Sequence, residues 1–137
     1  MLIGIDFDNT IAGYDHVFTA VCERQGLLES GVAKTKKGVR TALLGRPGGE
    51  QDWMRLQGSV YGVHMKDASL IEGVEDFLTR CRKLGIDLCI VSHKSEFGHF
   101  DTERVNLPDA ASAWMEKKGF FEPDGYGFER GSVCFES

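Results

Sequence analysis

The first ten residues constrain the fold more than any other part of the chain. Leu2–Ile5 is an apolar run of strand type that ends in two acids, Asp6 and Asp8. Asn9 and Thr10 follow directly. In an open α/β sheet, ligands bind outside the carboxyl ends of the strands. Because unpaired carboxylates are strongly disfavoured inside a protein, we interpret the two acids as part of a site. Their oxygens suit a hard cation such as Mg²⁺, which commonly accompanies phosphate.

The pattern Asp-x-Asp-x-Thr after an N-terminal apolar strand resembles motif I of the haloacid dehalogenase (HAD) superfamily. The resemblance rests on Asp6-Phe7-Asp8-Asn9-Thr10 and the preceding Leu2–Ile5. Solvated surface acids often share the short Asp-x-Asp spacing, but its position after the opening strand favours a phosphate site. The resemblance implies that Asp6 is the nucleophile and a Mg²⁺ ligand. It also implies that Asp8 is the general acid and then the general base, and that its backbone carbonyl binds the metal.

Helical patterns occupy the residues between this strand and the next α/β unit. Apolar residues recur at helical spacing in Tyr14–Leu28, Thr35–Leu44 and Glu50–Gly62, and the segment contains no convincing strand. HAD proteins with a C1-type cap carry a small helical lid at this point. The resemblance therefore implies an α/β fold, a HAD-like Rossmannoid parallel sheet, incomplete, with a small helical cap inserted after the first strand. The core would comprise residues 1–13 and 71–137, and the cap residues 14–70.

A second α/β unit follows the helical segment. Gly73–Leu84 predicts an amphipathic helix, and Ile86–Val91 is a nearly continuous apolar run. Such a run is typical of a parallel strand that is buried on both faces. Further along the chain, Asp109 is expected to cap another helix, and Ser132–Glu136 predicts a third strand.

Ser92, His93 and Lys94 follow the second core strand. A right-handed crossover turns neighbouring strand ends the same way, so we expect Ser92 to lie near Asp6 and Asp8. In HAD proteins the Ser or Thr at this point, motif II, holds a phosphate oxygen, although a Ser at a strand end is often only a turn or cap residue. A solvated side chain is the alternative for Lys94. The candidate phosphate-binding residues are thus Asn9, Thr10, Ser92, His93 and Lys94.

Basic residues cluster near the start of the second predicted helix, where positive charge opposes the helix dipole. Lys34, Lys36, Lys37 and Arg40 form this cluster. They form either a solvated helix face, the commoner outcome for such a charge run, or a cover over a phosphorylated ligand. Among the aromatic residues of the lid, Tyr61 is expected to pack in its core, with a position facing the cleft as the alternative.

The end of the sequence departs from the HAD pattern. The family also uses a Lys or Arg near a later helix start, motif III, and an acidic pair after a fourth strand, motif IV. Neither appears in the expected order, so we expect an incomplete metal shell, with Glu136 as an alternative motif IV acid. We expect a Mg²⁺-dependent phosphomonoester hydrolase acting on a small phosphorylated metabolite, with low or absent turnover. A non-catalytic phosphate-binding or interaction protein is the alternative.

Composition and charge exclude other classes. The 137 residues are 42% hydrophobic, which fits one compact domain, and the net charge of −5 predicts no general attraction to nucleic acid or membranes. No apolar run approaches the roughly 18 residues of a membrane span. Cys89 and Cys134 lie in apolar strand-like runs, which predicts reduced, buried thiols in a cytoplasmic protein. An exposed edge of the incomplete sheet would invite pairing with a second copy.

Overall fold

The computed structural model describes all 137 residues and confirms the α/β fold class. The chain forms five strands and five α-helices, with 3₁₀ turns at Met65–Asp67 and Arg130–Ser132. In chain order the elements are β1 (Leu2–Ile5), β2 (Ala12–Gly13), α1 (Asp15–Arg24), α2 (Lys36–Leu44), α3 (Gly49–Tyr61), β3 (Ser69–Leu70), α4 (Val74–Lys83), β4 (Asp87–His93), α5 (Leu107–Lys117) and β5 (Val133–Glu136).

A three-stranded parallel sheet with the order β1-β4-β5 organises the fold. Ile5 pairs with Ile90 across β1 and β4, and Ser92 pairs with Phe135 across β4 and β5. Parallel neighbours require long crossover connections, and here the helices supply them. The carboxyl ends of all three strands therefore meet at one edge of the sheet. Because β4 reaches His93, Ser92 lies within this strand, whereas the sequence predicted that the strand ends at Val91.

A second, two-stranded sheet brackets the helices α1 to α3. Ala12 pairs with Leu70 and Gly13 with Ser69 in antiparallel orientation. The prediction that the segment from Tyr14 to Leu70 contains no strand is therefore wrong for β3. A two-residue strand is too short to leave an alternating pattern in the sequence. The pairing brings the entry and the exit of the helical segment side by side.

Two helix boundaries differ from the predicted ones. The first helix ends at Arg24 instead of Leu28, because Gly26 adopts a left-handed conformation (φ 70°) that stops the helix. The predicted cap at Asp109 is also wrong. The N-cap of α5 is Asn106, and its side chain accepts a hydrogen bond from the backbone N–H of Asp109 at 2.9 Å. Asn and Asp serve equally well at this position, so composition alone does not identify the cap.

One hydrophobic core of 22 buried residues joins the helices to one face of the sheet. The opposite face is partly open, since 43% of Val91 and 66% of Leu2 are exposed. The prediction that the second core strand is buried on both faces is therefore wrong. The four cysteines are free, but Cys134 is exposed, which corrects the prediction that it is buried. None of the helices combines the length and the apolarity that a membrane crossing requires.

Candidate functional site

The turn after β1 separates its acids from its aromatic residue. Phe7 is fully buried and its ring meets that of Trp114 edge-on at 5.6 Å, while Asp6 is exposed and Asp8 is half-buried. The carbonyl of Phe7 accepts backbone hydrogen bonds from residues 10, 11 and 12, which closes the turn. Asn9 adopts a left-handed conformation (φ 61°), which Asn tolerates better than most residues. The buried aromatic ring and the turn therefore hold both acids at the edge of the sheet.

Asp8 is the centre of a polar network. The ammonium group of Lys94 lies 2.9 Å and 3.2 Å from its two carboxylate oxygens, and the hydroxyl of Tyr14 donates a hydrogen bond to one of them. The side chain of Lys94 is only 3% exposed and its charge also lies 4.8 Å from the centre of the Tyr61 ring. Burial and the negative charge of Asp8 raise the pKa of Tyr14 far above its usual range, so Tyr14 stays a neutral donor.

A second pair, Lys36 and Tyr61, lies beside this network. The ammonium group of Lys36 donates to the hydroxyl of Tyr61 at 2.6 Å and lies over the rings of Tyr61 and Phe18. Burial lowers the pKa of Lys36, although the nearby acids Asp8 and Asp15 act in the opposite direction. Burial also raises the pKa of Tyr61, so its hydroxyl remains protonated at neutral pH. Helix α2 therefore brings a second cation, Lys36, to the edge of the sheet.

Asp8, Lys36 and Tyr61 line a cleft of about 510 Å³ at the carboxyl ends of the strands. It contains residues of all three strand ends and two residues of the helical segment, Lys36 and Tyr61. Three carboxylates face this space, those of Asp6, Asp8 and Glu136. The other lining residues are Asn9, Val91, Ser92 and His93. Asp6, Asp8 and Ser92, which come from neighbouring strand ends, thus line the same cleft.

The structure brings most of the predicted site residues to the cleft, with two exceptions. Ser92 is buried and His93 is exposed, and both line the cleft, where His93 pairs in register with Glu136. Thr10 is exposed and does not line the cleft; its backbone N–H helps to close the turn after β1. Lys94 lies behind the cleft in a smaller cavity of about 180 Å³, to which Asp8 also contributes. Its partner is thus a carboxylate of the chain itself.

The donor set of the cleft suits a magnesium ion that is held mainly by substrate and water. Asp6 accepts a hydrogen bond from the N–H of Phe7 at 2.7 Å, and neither Asp6 nor Glu136 takes part in the chain's ion pairs. The side-chain oxygens of Asp8 have partners, but its backbone carbonyl accepts no hydrogen bond. No three acidic, His or Cys side chains form a metal-binding group. Mg²⁺ commonly uses one or two carboxylates with phosphate, which fits Asp6 and the carbonyl of Asp8.

Sequence reasoning missed the role of Tyr14 and treated Tyr61 mainly as a core residue. Tyr14 appeared only as the start of a helix, yet only 1% of it is exposed and its hydroxyl requires a partner. A tyrosine six residues after Asp8 was the available signal, but spacing alone does not say that the chain turns back on itself. The contact between Lys36 and Tyr61 joins two helices and has no local signal.

The comparisons with known proteins leave the family of this chain undetermined. No protein-family model matches the sequence, and no curated protein matches it. Function is therefore inferred from the geometry of the cleft and from the motif resemblance.

Proposed function

We propose that the protein is a Mg²⁺-dependent phosphomonoester hydrolase of the HAD type, which acts through an aspartyl-phosphate on Asp6. The observation that carries this proposal is the convergence of Asp6, Asp8 and Ser92 on one cleft at the carboxyl edge of a parallel sheet. Phosphoryl transfer to and from an aspartate needs a carboxylate outside any ion pair, such as Asp6, and a second, hydrogen-bonded carboxylate, such as Asp8. It also needs a hydroxyl group. The helices α1 to α3 would serve as the cap of such an enzyme.

In this mechanism the two acids act in turn. A carboxylate oxygen of Asp6 attacks phosphorus, and the bond from phosphorus to the leaving oxygen breaks. Asp8 is paired with Lys94 in the free protein, so it would first take up a proton and then give that proton to the leaving alkoxide. It then accepts a proton from the water that attacks the aspartyl-phosphate, so that inorganic phosphate leaves and Asp6 is regenerated. The hydrogen bond from Tyr14 would keep the carboxyl group of Asp8 in one orientation in both protonation states.

Positive charge and hydroxyl donors would hold the phosphate beside the acids. Phosphoryl transfer gains mainly from positioning and charge neutralisation. Ser92 would donate to a phosphate oxygen, and Lys36 lines the same cleft without an ion-pair partner of its own. A bound Mg²⁺, held by Asp6 and the carbonyl of Asp8, would supply the remaining positive charge that lets two anions approach.

Activity against a panel of small phosphomonoesters with Mg²⁺ tests the proposal. We expect release of inorganic phosphate that requires Mg²⁺, and we expect Asp6→Asn to lower kcat by about three orders of magnitude, because the nucleophile is lost. Asp124→Asn removes an exposed acid in a loop outside the cleft and serves as the matched control. Turnover that survives in Asp6→Asn at the wild-type rate would contradict the assignment of the nucleophile.

One observation favours a second candidate, a phosphate-binding protein without turnover. The three carboxylates of the cleft do not form a metal-binding group, and an incomplete metal shell would slow the chemistry. Such a protein would bind a fluoride mimic of phosphate, such as beryllium trifluoride, in the cleft but release no phosphate from any ester. Folded protein that binds the mimic in an Asp6-dependent manner and shows no turnover would select this alternative.

A further inference from the structure

A second cleft adjoins the first on the side of the lid. It has a volume of about 720 Å³ and lies between the helical segment and the two-stranded sheet. Asn9 and Lys36 line both clefts, so the two spaces meet at these residues. The second cleft also contains Lys37 and Arg40, which lie on α2. A ligand bound beside Asp6 and Asp8 could therefore extend past Lys36 towards these two cations.

The second cleft contains three basic residues, Lys36, Lys37 and Arg40, and two acidic ones, Asp15 and Glu72, so basic side chains are in excess there. None of them belongs to any of the four ion pairs. Of the two acids in the cleft, Asp15 already accepts a hydrogen bond from the backbone N–H of Lys36 at 2.8 Å. An excess of positive charge in one cleft is unexpected in a chain with a net charge of −5.

The position of these cations argues against a purely solvated helix face. Lys36 and Lys37 occupy the first turn of α2, which contains no acid, and positive charge there is unfavourable for the helix. Lys36 is also partly buried against two aromatic rings, which costs hydration of its charge. Positive charge in the first turn and partial desolvation of Lys36 are each unfavourable in themselves, and an anionic ligand would offset them.

We infer that the substrate is a phosphomonoester with a second anionic group, a phosphate or a carboxylate, that lies against Lys37 and Arg40 while Lys36 lies between the two anionic groups. This inference rests on the proposed function of the first cleft and adds a substrate class to it. The second cleft selects substrates by charge, and the carboxylate cleft performs the chemistry.

Matched pairs of α,ω-alkanediol phosphates test the inference, because the bisphosphate and the monophosphate of one diol differ only in the second anion. Binding to Asp6→Asn protein, measured by calorimetry, reports affinity without turnover, and kcat/KM of the wild type reports selectivity. We expect the bisphosphate to be preferred by about tenfold, with a maximum at one chain length that spans the two clefts. We expect Lys37→Gln and Arg40→Gln each to reduce this preference by about two- to fivefold, as for a partly exposed ion pair.

Lys34→Gln is the control, since Lys34 belongs to the same basic run but lines neither cleft. Equal affinity for both members of every pair would overturn the inference, as would an equal loss of preference in Lys34→Gln. The two proposals fail separately. A charge-selective protein that depends on Arg40 but hydrolyses nothing refutes the hydrolase alone, whereas hydrolysis without any preference for the second anion refutes the subsite alone.

Discussion

At the scale of single residues, Asp8 is the side chain on which the polar contacts of the site converge. It accepts hydrogen bonds from Tyr14 and from the almost fully buried Lys94. A buried ion pair generally adds little to stability compared with apolar residues of the same volume, because both charges lose their hydration. Its presence here is therefore better explained by what Asp8 has to do at the cleft than by the folding of the chain.

Replacing Lys94 tests how strongly the site depends on this pair. We expect Lys94→Met to lower the free energy of unfolding by about 2–4 kcal/mol, because Asp8 is left without a compensating charge. The double variant Lys94→Met/Asp8→Asn should regain part of this loss, since the stranded charge is gone. Urea unfolding of the wild type, of Lys94→Met, of Asp8→Asn and of the double variant gives the values and the coupling between the two residues.

An exposed ion pair of the same chain provides the control for that experiment. Arg130 and Glu116 are 3.5 Å apart, and more than 60% of each side chain is exposed. Arg130→Gln should cost less than about 1 kcal/mol, because water screens an exposed pair. Similar losses in Lys94→Met and Arg130→Gln would mean that the Lys94 charge is hydrated in solution.

At the scale of elements, the helices α1 to α3 meet the sheet where α3 touches the loop after β4. A Cβ atom on Gly98 would lie 2.5 Å from the Cα of Gly58, so two glycines are needed for the backbones to approach this closely. Both glycines line the small cavity that contains Lys94. This close approach of α3 to the loop brings the ring of Tyr61, at the end of α3, over the ammonium group of Lys94.

Gly98→Ala tests whether the contact between Gly98 and Gly58 holds α3 against the loop. The added methyl group must push the loop away from α3, and we expect a loss of about 1–3 kcal/mol in the free energy of unfolding, which is typical of overpacking. Gly131→Ala is the matched control, because a Cβ there meets no atom within 4 Å. An effect of equal size in both variants would show that the contact of Gly98 with α3 is not tight.

At the scale of the whole molecule, the helices cover one face of the three-stranded sheet and leave the other partly open. Cys134 pairs in register with Val91, and both are exposed on that face, whereas Cys22 and Cys81 are buried. The thiols therefore report which face of the sheet is accessible.

Thiol labelling of the native protein reads out this asymmetry. We expect Cys134 to react first with a maleimide, and Cys22 and Cys81 to react only after unfolding. Burial also raises the pKa of Cys22, which keeps its reactive thiolate scarce. Mass spectrometry of a labelling time course gives the order, and Cys134→Ser should remove the fast phase. Protection of Cys134 equal to that of Cys22 would contradict an open face and would indicate that another molecule covers it.

The pattern of apolar and polar residues was sufficient to predict those strands and helices that depend on residues close together in the sequence. The apolar run Leu2–Ile5, the acids after it and the second apolar strand are local signals, and parallel strands carry their following residues to one edge of a sheet. The convergence of Asp6, Asp8 and Ser92 could therefore be expected from the chain alone. Helix existence was predicted well for the same reason, while caps and ends shifted by a few residues.

The tertiary structure decided everything that depends on residues far apart in the chain. Lys36 and Tyr61 meet each other, and Tyr61 meets Lys94, only because the helices α1 to α3 fold back over the sheet, and no spacing in the sequence encodes those contacts. An apolar strand likewise does not reveal whether one layer of helices or two will cover it, which is why the exposure of Val91 was not predicted. The sequence of a strand shows which of its faces is apolar, whereas the burial of that face depends on which helices pack against it.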